Sequence, residues 1–222
     1  MTKKRVTSQD VANLAGVSRT TVSLVLNDVD GINIPLETRQ KVRDAAEALM
    51  YVPNATAQAL ATQRSKAIGL IMTRSPHHIA SDTFLPQILG GLLKVIKQHK
   101  FRLLIESVDE EHQERVYLEL AQAKHIDGMI LLTPRIDDKG FKKLEEVGVP
   151  AVLMGKLQDS TLYSVDVDNR SAAEKATQRL VNLGHSKIAC IANAPPSYSA
   201  APERVLGYQD ALTKAGIPLR ES

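Results

Sequence analysis

Thr7-Ser-Gln-Asp-Val-Ala-Asn-Leu-Ala-Gly-Val-Ser-Arg-Thr-Thr-Val-Ser-Leu-Val-Leu-Asn27 is the stretch whose reading decides the N-terminal fold. It reads as two short helices joined by a tight turn. Thr7 and Asp10 have the spacing of a capping box, so a helix starts there and carries Val11, Ala12, Leu14 and Ala15. Gly16 ends it, because glycine tolerates the positive φ of a sharp helix-to-helix turn. Val17 can plug the angle between the helices, and Ser18 is a natural N-cap for the second. Val22, Val25 and Leu26 are expected to face inward, leaving Arg19, Thr20, Ser23 and Asn27 on the polar face. The first residues of such a second helix are those that reach base edges in a major groove.

Working outward, Asp28 to Asn33 reads as a turn-rich loop, and Pro35 to Met50 as a third helix. Leu36, Val42, Ala45, Ala46 and Leu49 are taken as its inward face, closing a small three-helix core. Pro53 stops direct continuation. Asn54 can cap a short fourth helix running to Ala61, marginal by itself and read as a hinge that folds on DNA. Beyond Ser65 short apolar runs alternate with amphipathic helices. Strands are expected at 67–73, 102–107, 128–133, 150–154, 163–167 and 187–193, and helices near 84–99, 110–123, 138–147, 170–183 and 203–215. That alternation indicates a parallel sheet wrapped on both faces.

Composition narrows the class. With 222 residues, 43% hydrophobic and 24% charged, the chain can bury a core and hold more than one domain. No apolar run approaches a membrane span, the Lys-Lys-Arg start is not followed by a signal-peptide core, and the single Cys190 excludes an internal disulfide. These point to a cytoplasmic protein without a membrane partner. Cys190, in the apolar run Lys187 to Ala192, is expected to be a buried small hydrophobe. Residues 1–66 carry 9 Lys/Arg against 6 Asp/Glu, and residues 67–222 carry 19 against 19, so the formal charge of +3 lies in the first segment. It gains meaning by coinciding with the helical motif.

Enzymatic readings find little support, and no cofactor is expected. His77-His78 could suggest a metal, but adjacent residues on a loop do not converge as i, i+4 ligands do, and a solvated loop is the expectation. His99, His112, His125 and His185 are dispersed. Neither a phosphate-cradling glycine loop nor a nucleophile elbow is visible.

An ordered series of motifs runs along the chain. It comprises Asp10 to Asn27, Glu37 to Val42, Tyr51-Val-Pro-Asn54, Ala57-Gln-Ala-Leu60, Ile68-Gly69-Leu70, Asp127-Gly128, Asp168-Asn169, Leu183 to Ile188 and Glu203 to Tyr208. In content and order it closely resembles the LacI/GalR family of bacterial transcriptional regulators. The resemblance implies an all-α helix-turn-helix headpiece at 1–53, a hinge helix at 54–64, and an α/β periplasmic-binding-protein-like core at 65–222. That core would have its first lobe at 65–169 and the start of a second at 170–222, with a ligand cleft between them. Family members continue through further strand-helix units, so the chain looks like a fragment, an engineered truncation or an interrupted gene product. A lone strand and helix would leave an open edge and an uncovered apolar face, and residues after about 187 are expected to pack poorly.

The resemblance also implies site residues. Arg19, Thr20 and Leu24 occupy the base-selecting positions. Arginine can bond guanine bidentately, threonine can donate or offer its methyl to thymine, and leucine makes only apolar contacts. Thr7, Ser18, Ser23 and Asn27 look like phosphate clamps, with capping alone as their simpler role. Asn54, Ala57 and Gln58 would lie along the minor groove, and Leu60 would wedge between base pairs and kink the duplex. Arg204 matches an arginine that projects toward a bound small molecule, with Asp168 and Ser75 as further effector candidates. For Asp168 the alternative is a helix cap, and for Arg204 a structural ion pair.

The function implied is a sequence-specific regulator, most simply a repressor. It would bind a near-palindromic double-stranded operator as a homodimer and be modulated by a sugar or similar metabolite. The alternatives are a truncated regulator that binds DNA without effector response, and a cytoplasmic solute-binding protein. Leu60→Ala is expected to weaken operator binding much more than random-sequence binding in a gel-shift comparison. Equal loss on both would remove the wedge.

Overall fold

A computed structural model describes residues 6–27, 31–54, 58–59, 62–73, 76–108, 112–192 and 194–219. Two compact units emerge, Met1–Ser65 and Lys66–Ser222.

In the first unit, α1 spans Ser8–Ala15, α2 Arg19–Leu26 and α3 Leu36–Ala48. The capping box forms as expected. The Thr7 amide donates to Asp10 Oδ2 at 2.8 Å, and the Asp10 amide donates back to Thr7 Oγ1 at 3.4 Å. Gly16 sits in the left-handed region at φ 67°, where its amide and that of Val17 both reach the Ala12 carbonyl. Val11, Ala12, Val22, Val25, Val42, Ala45 and Ala46 make the buried core, flanked by Ala15, Val17, Leu26, Ile34, Leu49 and Tyr51. Small side chains let three short helices approach closely. Leu36 departs from expectation and is 85% exposed. It precedes Val42 by six positions, which places it about 120° round the helix from the buried face.

In the second unit five parallel strands, β1 Ala67–Met72, β2 Arg102–Ser107, β3 Gly128–Leu132, β4 Ala151–Met154 and β5 Tyr163–Val165, lie in the order β2-β1-β3-β4-β5. The register pairs Leu70 with Ile105 and Ile130, and Leu131 with Leu153. Alternate residues of the central strands face opposite sides. Ile71, Met129, Leu131 and Leu153 pack under α6 Gln113–Gln122 and α7 Gly140–Val147, through Tyr117, Phe141 and Leu144. Leu70, Met72 and Leu132 pack on the other face beneath α4 Pro76–Ser81 and α5 Leu85–Gln98, through Ile79, Leu85, Ile88 and Leu89. The doubly covered sheet was thus legible from near-continuous apolar runs. The segment holding His77 is a short helix rather than the expected loop.

Two helices follow the sheet, α8 Asn169–Asn182 and α9 Ala200–Lys214. They pack on each other so closely that a Cβ on Gly207 would lie 2.0 Å from the Arg170 carbonyl oxygen. Arg170 makes a two-pronged ion pair with Asp210 at 2.6 and 3.0 Å, and Lys214 pairs with Glu174. Ala201, Ala211 and Leu212 are buried. The expectation of poor packing beyond 187 is therefore wrong for α9. The expected strand at 187–193 is absent from its described residues 187–192, which find no partner strand; Ile191 is 93% exposed. Cys190 is exposed for the same reason, not buried as expected. A hydrogen bond of 2.8 Å from the Tyr208 hydroxyl to the Ile188 carbonyl ties this run to α9.

Gly207→Ala is expected to lower stability by about 1–3 kcal/mol through overpacking against backbone, more than alanine's helix preference returns. Thermal unfolding followed by circular dichroism tests it. An unchanged or higher Tm would show that the two helices are not in this close contact.

Candidate nucleic-acid interface and ligand cleft

Helix α2 presents its first turn to solvent. Ser18, at φ −73° and ψ 153°, caps the helix by accepting the Thr21 amide at 3.1 Å, and its hydroxyl lies 2.9 Å from that of Thr21. Arg19, Thr20 and Ser23 are exposed on one side while Val22 and Val25 are buried on the other. Leu24 is half-buried. The uncapped amides at a helix start carry partial positive charge, so this end is suited to phosphate, with an arginine and two hydroxyls beside it. Thr7 is exposed but committed to its capping box, its hydroxyl donating to Asp10 Oδ2 at 2.7 Å.

The last turn of α2 meets the segment that follows α3. Asn27 donates through Nδ2 to Ser23 Oγ at 3.2 Å and accepts from Gln58 Nε2 at 2.7 Å. Gln58 and Ala59 are helical, and the Gln58 amide donates to the Asn54 carbonyl at 2.9 Å in the i to i−4 pattern. Asn54 itself is exposed. Ala57 and Leu60 lie outside the described residues. The structure brings Ser18, Arg19, Thr20 and Ser23 together on one helix and adds Asn27 and Gln58 as a linked pair. No sequence pattern announces that link, because the partners are 31 positions apart.

In the second unit a cleft of about 1140 Å³ opens beyond the strand C-termini, lined in part by Asp138, Lys142, Glu145, Asp166, Asp168 and Glu203. Asp168 caps α8, accepting the Ser171 amide at 2.9 Å, which is the simpler of its two expected roles. Arg204 Nε donates to Asn169 Oδ1 at 2.9 Å, while Asn169 Nδ2 reaches Asp166 Oδ1 and the Val167 carbonyl, each at 3.1 Å. Asn169 is buried, so this chain holds Arg204 beside the start of α8. Sequence reasoning noted Asn169 only as part of a motif and missed its positioning role. Ser75 lies outside the described residues.

Charge in the segment after β3, where Asp138 lines the cleft, is unevenly solvated. Burial pushes the Asp138 carboxyl above the usual carboxylate range, although it accepts the Gly140 amide at 2.8 Å and the Tyr117 hydroxyl at 3.0 Å. Burial also drives the Tyr117 hydroxyl far up, reinforced by the Asp138 charge. Arg135 donates to both carboxylate oxygens of Asp137, at 2.9 and 2.8 Å, and holds that group below its ordinary range. Among the described residues there is no cluster of three or more His, Cys, Asp or Glu that could hold a metal, and no helix long and apolar enough to cross a membrane.

Comparison with known proteins places this geometry. Residues 7–54 match the family described as bacterial regulatory proteins, lacI family, and residues 65–222 match periplasmic binding proteins and sugar binding domain of LacI family. The HTH-type transcriptional regulator CelR of Thermobifida fusca is 35% identical over 99% of this chain and 65% of its own length. RegA of Clostridium saccharobutylicum is 33% identical over 95% of this chain and 62% of its own. A structure of the CelR–cellobiose complex aligns at TM-score 0.65 with 33% identity, covering 98% of this chain and 64% of that one. The lac repressor dimer bound to operator and the anti-inducer ONPF aligns at TM-score 0.79 with 29% identity, covering 97% and 64%. The chain belongs to the LacI family of bacterial regulatory proteins. It spans less than two thirds of the length of the curated relatives it matches. Both of these relatives are named as transcriptional regulators, in agreement with the expectation of a protein that is not an enzyme.

Proposed function

We propose that the chain acts as a sequence-specific transcriptional repressor that binds a near-palindromic operator as a homodimer in the cytoplasm. The observation that carries this is the first turn of α2, where Ser18, Arg19 and Thr20 stand exposed at a capped helix start within a helix-turn-helix. Arg19 and Thr20 select bases and Leu24 adds an apolar contact. Thr7, Ser18 and Ser23 anchor phosphates, and Asn27 and Gln58 fix the angle between headpiece and hinge. Asn54, Ala57 and Leu60 complete the contacts along the minor groove. Two copies double these contacts on an inverted repeat.

The second unit makes the repressor responsive to a small molecule. Asp168 lines the cleft and Arg204 is bonded to Asn169 of that lining; with Ser75, an effector candidate by resemblance, they suit a neutral polyhydroxyl compound, and the relative solved with cellobiose makes a disaccharide the first candidate. An effector that prefers one arrangement of the cleft shifts the population of DNA-competent dimers by linkage. A second reading, a DNA-binding chain without effector response, is favoured by one observation. Among the described residues, the part after α8 contributes α9 and an apolar run that pairs with no strand. Calorimetric titration with cellobiose separates the two readings.

The test of DNA recognition is selection of the purified 222-residue chain against a random duplex library. An inverted repeat is expected to be enriched, and Arg19→Ala is expected to relax one base pair in each half-site by about 1–3 kcal/mol. Failure to enrich any sequence would contradict the proposal, and so would an Arg19→Ala profile identical to wild type.

A further inference from the structure

The sheet order places the topological switch point between β1 and β3, whose connections leave in opposite directions, and ligands of open parallel sheets settle in the crevice there. In this chain the crevice has an occupant of its own. The segment before α9 lays Tyr198 across it. The Tyr198 hydroxyl points at the carbonyl of Thr73, the residue after β1, in a long contact of 3.4 Å. The Arg135 guanidinium, three residues beyond β3, stands 5.5 Å over the tyrosine ring, held in place by its two bonds to Asp137. The Ile136 amide donates to the Ser197 carbonyl at 2.7 Å, fastening the loop to the same strand end. Thr73 is buried and the Arg135 side chain only 15% exposed, so the ring closes a formed recess and does not lie on open surface. The open cleft begins alongside, where Ile136 and Ser199 contribute to its lining.

We propose that Tyr198 is an internal occupant of the ligand crevice, a tethered hydroxylated ring that a ligand must displace to reach the ends of β1 and β3. This rests on the effector-binding reading above and adds a specificity-determining residue to it. The recess that accepts Tyr198 offers a cationic plane for the face of a ring and a carbonyl acceptor for its hydroxyl. The carbonyl acceptor is a feature a polyhydroxyl ligand would use in its place, and the cationic plane suits an aromatic ring. The hydroxyl contact of the plug is long, at 3.4 Å, so displacement is within reach of a small ligand. Apparent affinity is reduced by the fraction of molecules in which the plug is seated.

The experiment is hydrogen exchange on the full chain, read at the Ile136 amide with an interior β3 amide, Leu131, as reference. Tyr198→Ala is expected to speed exchange at Ile136 about tenfold and leave Leu131 unchanged, while Tyr198→Phe, which keeps the ring, stays near wild type. Phenol, the missing ring and hydroxyl, is expected to restore protection in Tyr198→Ala in a saturable way and to have no effect on wild type. Unchanged exchange in Tyr198→Ala would overturn the proposal, as would failure of phenol to restore protection. Faster exchange at both amides would also overturn it, by giving the side chain a general structural role. Cellobiose titration adds an arm that separates this idea from the reading beneath it. Binding about tenfold tighter to Tyr198→Ala than to wild type supports the plug, and weaker binding contradicts it by making Tyr198 a platform for the ligand. No heat with either protein counts against cellobiose as effector, and the phenol result still decides the plug.

Discussion

The left-handed turn at Gly16 is the constraint on which the first unit depends. It brings α2 back against α1 within three residues, so that Val22 and Val25 meet Val11 and Ala12 and the opposite side of α2 faces water. A side chain with a Cβ at φ 67° would be strained there whatever space surrounds it. The capping box at Thr7 and the Ser18 cap then satisfy one helix amide at each start, those of Asp10 and Thr21. None of these three helices exceeds 13 residues, and none would be stable alone. Their shared core of valine and alanine supplies what isolated helices lack.

The second unit solves a different problem. Its central strands β1, β3 and β4 are apolar on both sides and are covered on both by helices α4 to α7, while the edge strand β5 stays exposed. The strand ends remain as a polar rim, and the residues gathered there are tied to one another. Arg204 is oriented by Asn169, Asn169 by Asp166, and Arg135 by Asp137. Such chains fix side chains in advance of any ligand, lowering the ordering cost of binding. The uneven solvation of Asp137 and Asp138, neighbours in sequence, comes from the same arrangement. One is paired with Arg135 near solvent and the other is buried under Tyr117.

Much of this was legible in the sequence where local chemistry decides the outcome. The capping residues, the glycine turn and the strands β1, β3 and β4 follow from short-range patterns, since caps act within one turn and buried parallel strands are continuously apolar. The failures share a cause. The run at 187–192 has the composition of a strand, but a strand needs a neighbour to pair with and none is present among the described residues. Leu36 has the hydrophobicity of a core residue, but its angle on α3 excludes it from the core. Asn27 with Gln58, and Tyr198 with Arg135 and Thr73, join residues from distant parts of the chain. Only the folded arrangement brings such partners together, and neither a period nor a motif encodes them.

The central claim is that the first unit meets DNA through the N-terminal turn of α2. Its most direct test is the change in backbone amide resonances when a duplex of about 20 base pairs is added to the labelled chain at low ionic strength, where phosphate contacts are least screened. The account predicts the largest shifts from Ser18 to Leu24, with the strands of the second unit unmoved. Shifts concentrated in residues 66–219, with α2 unaffected, would contradict it.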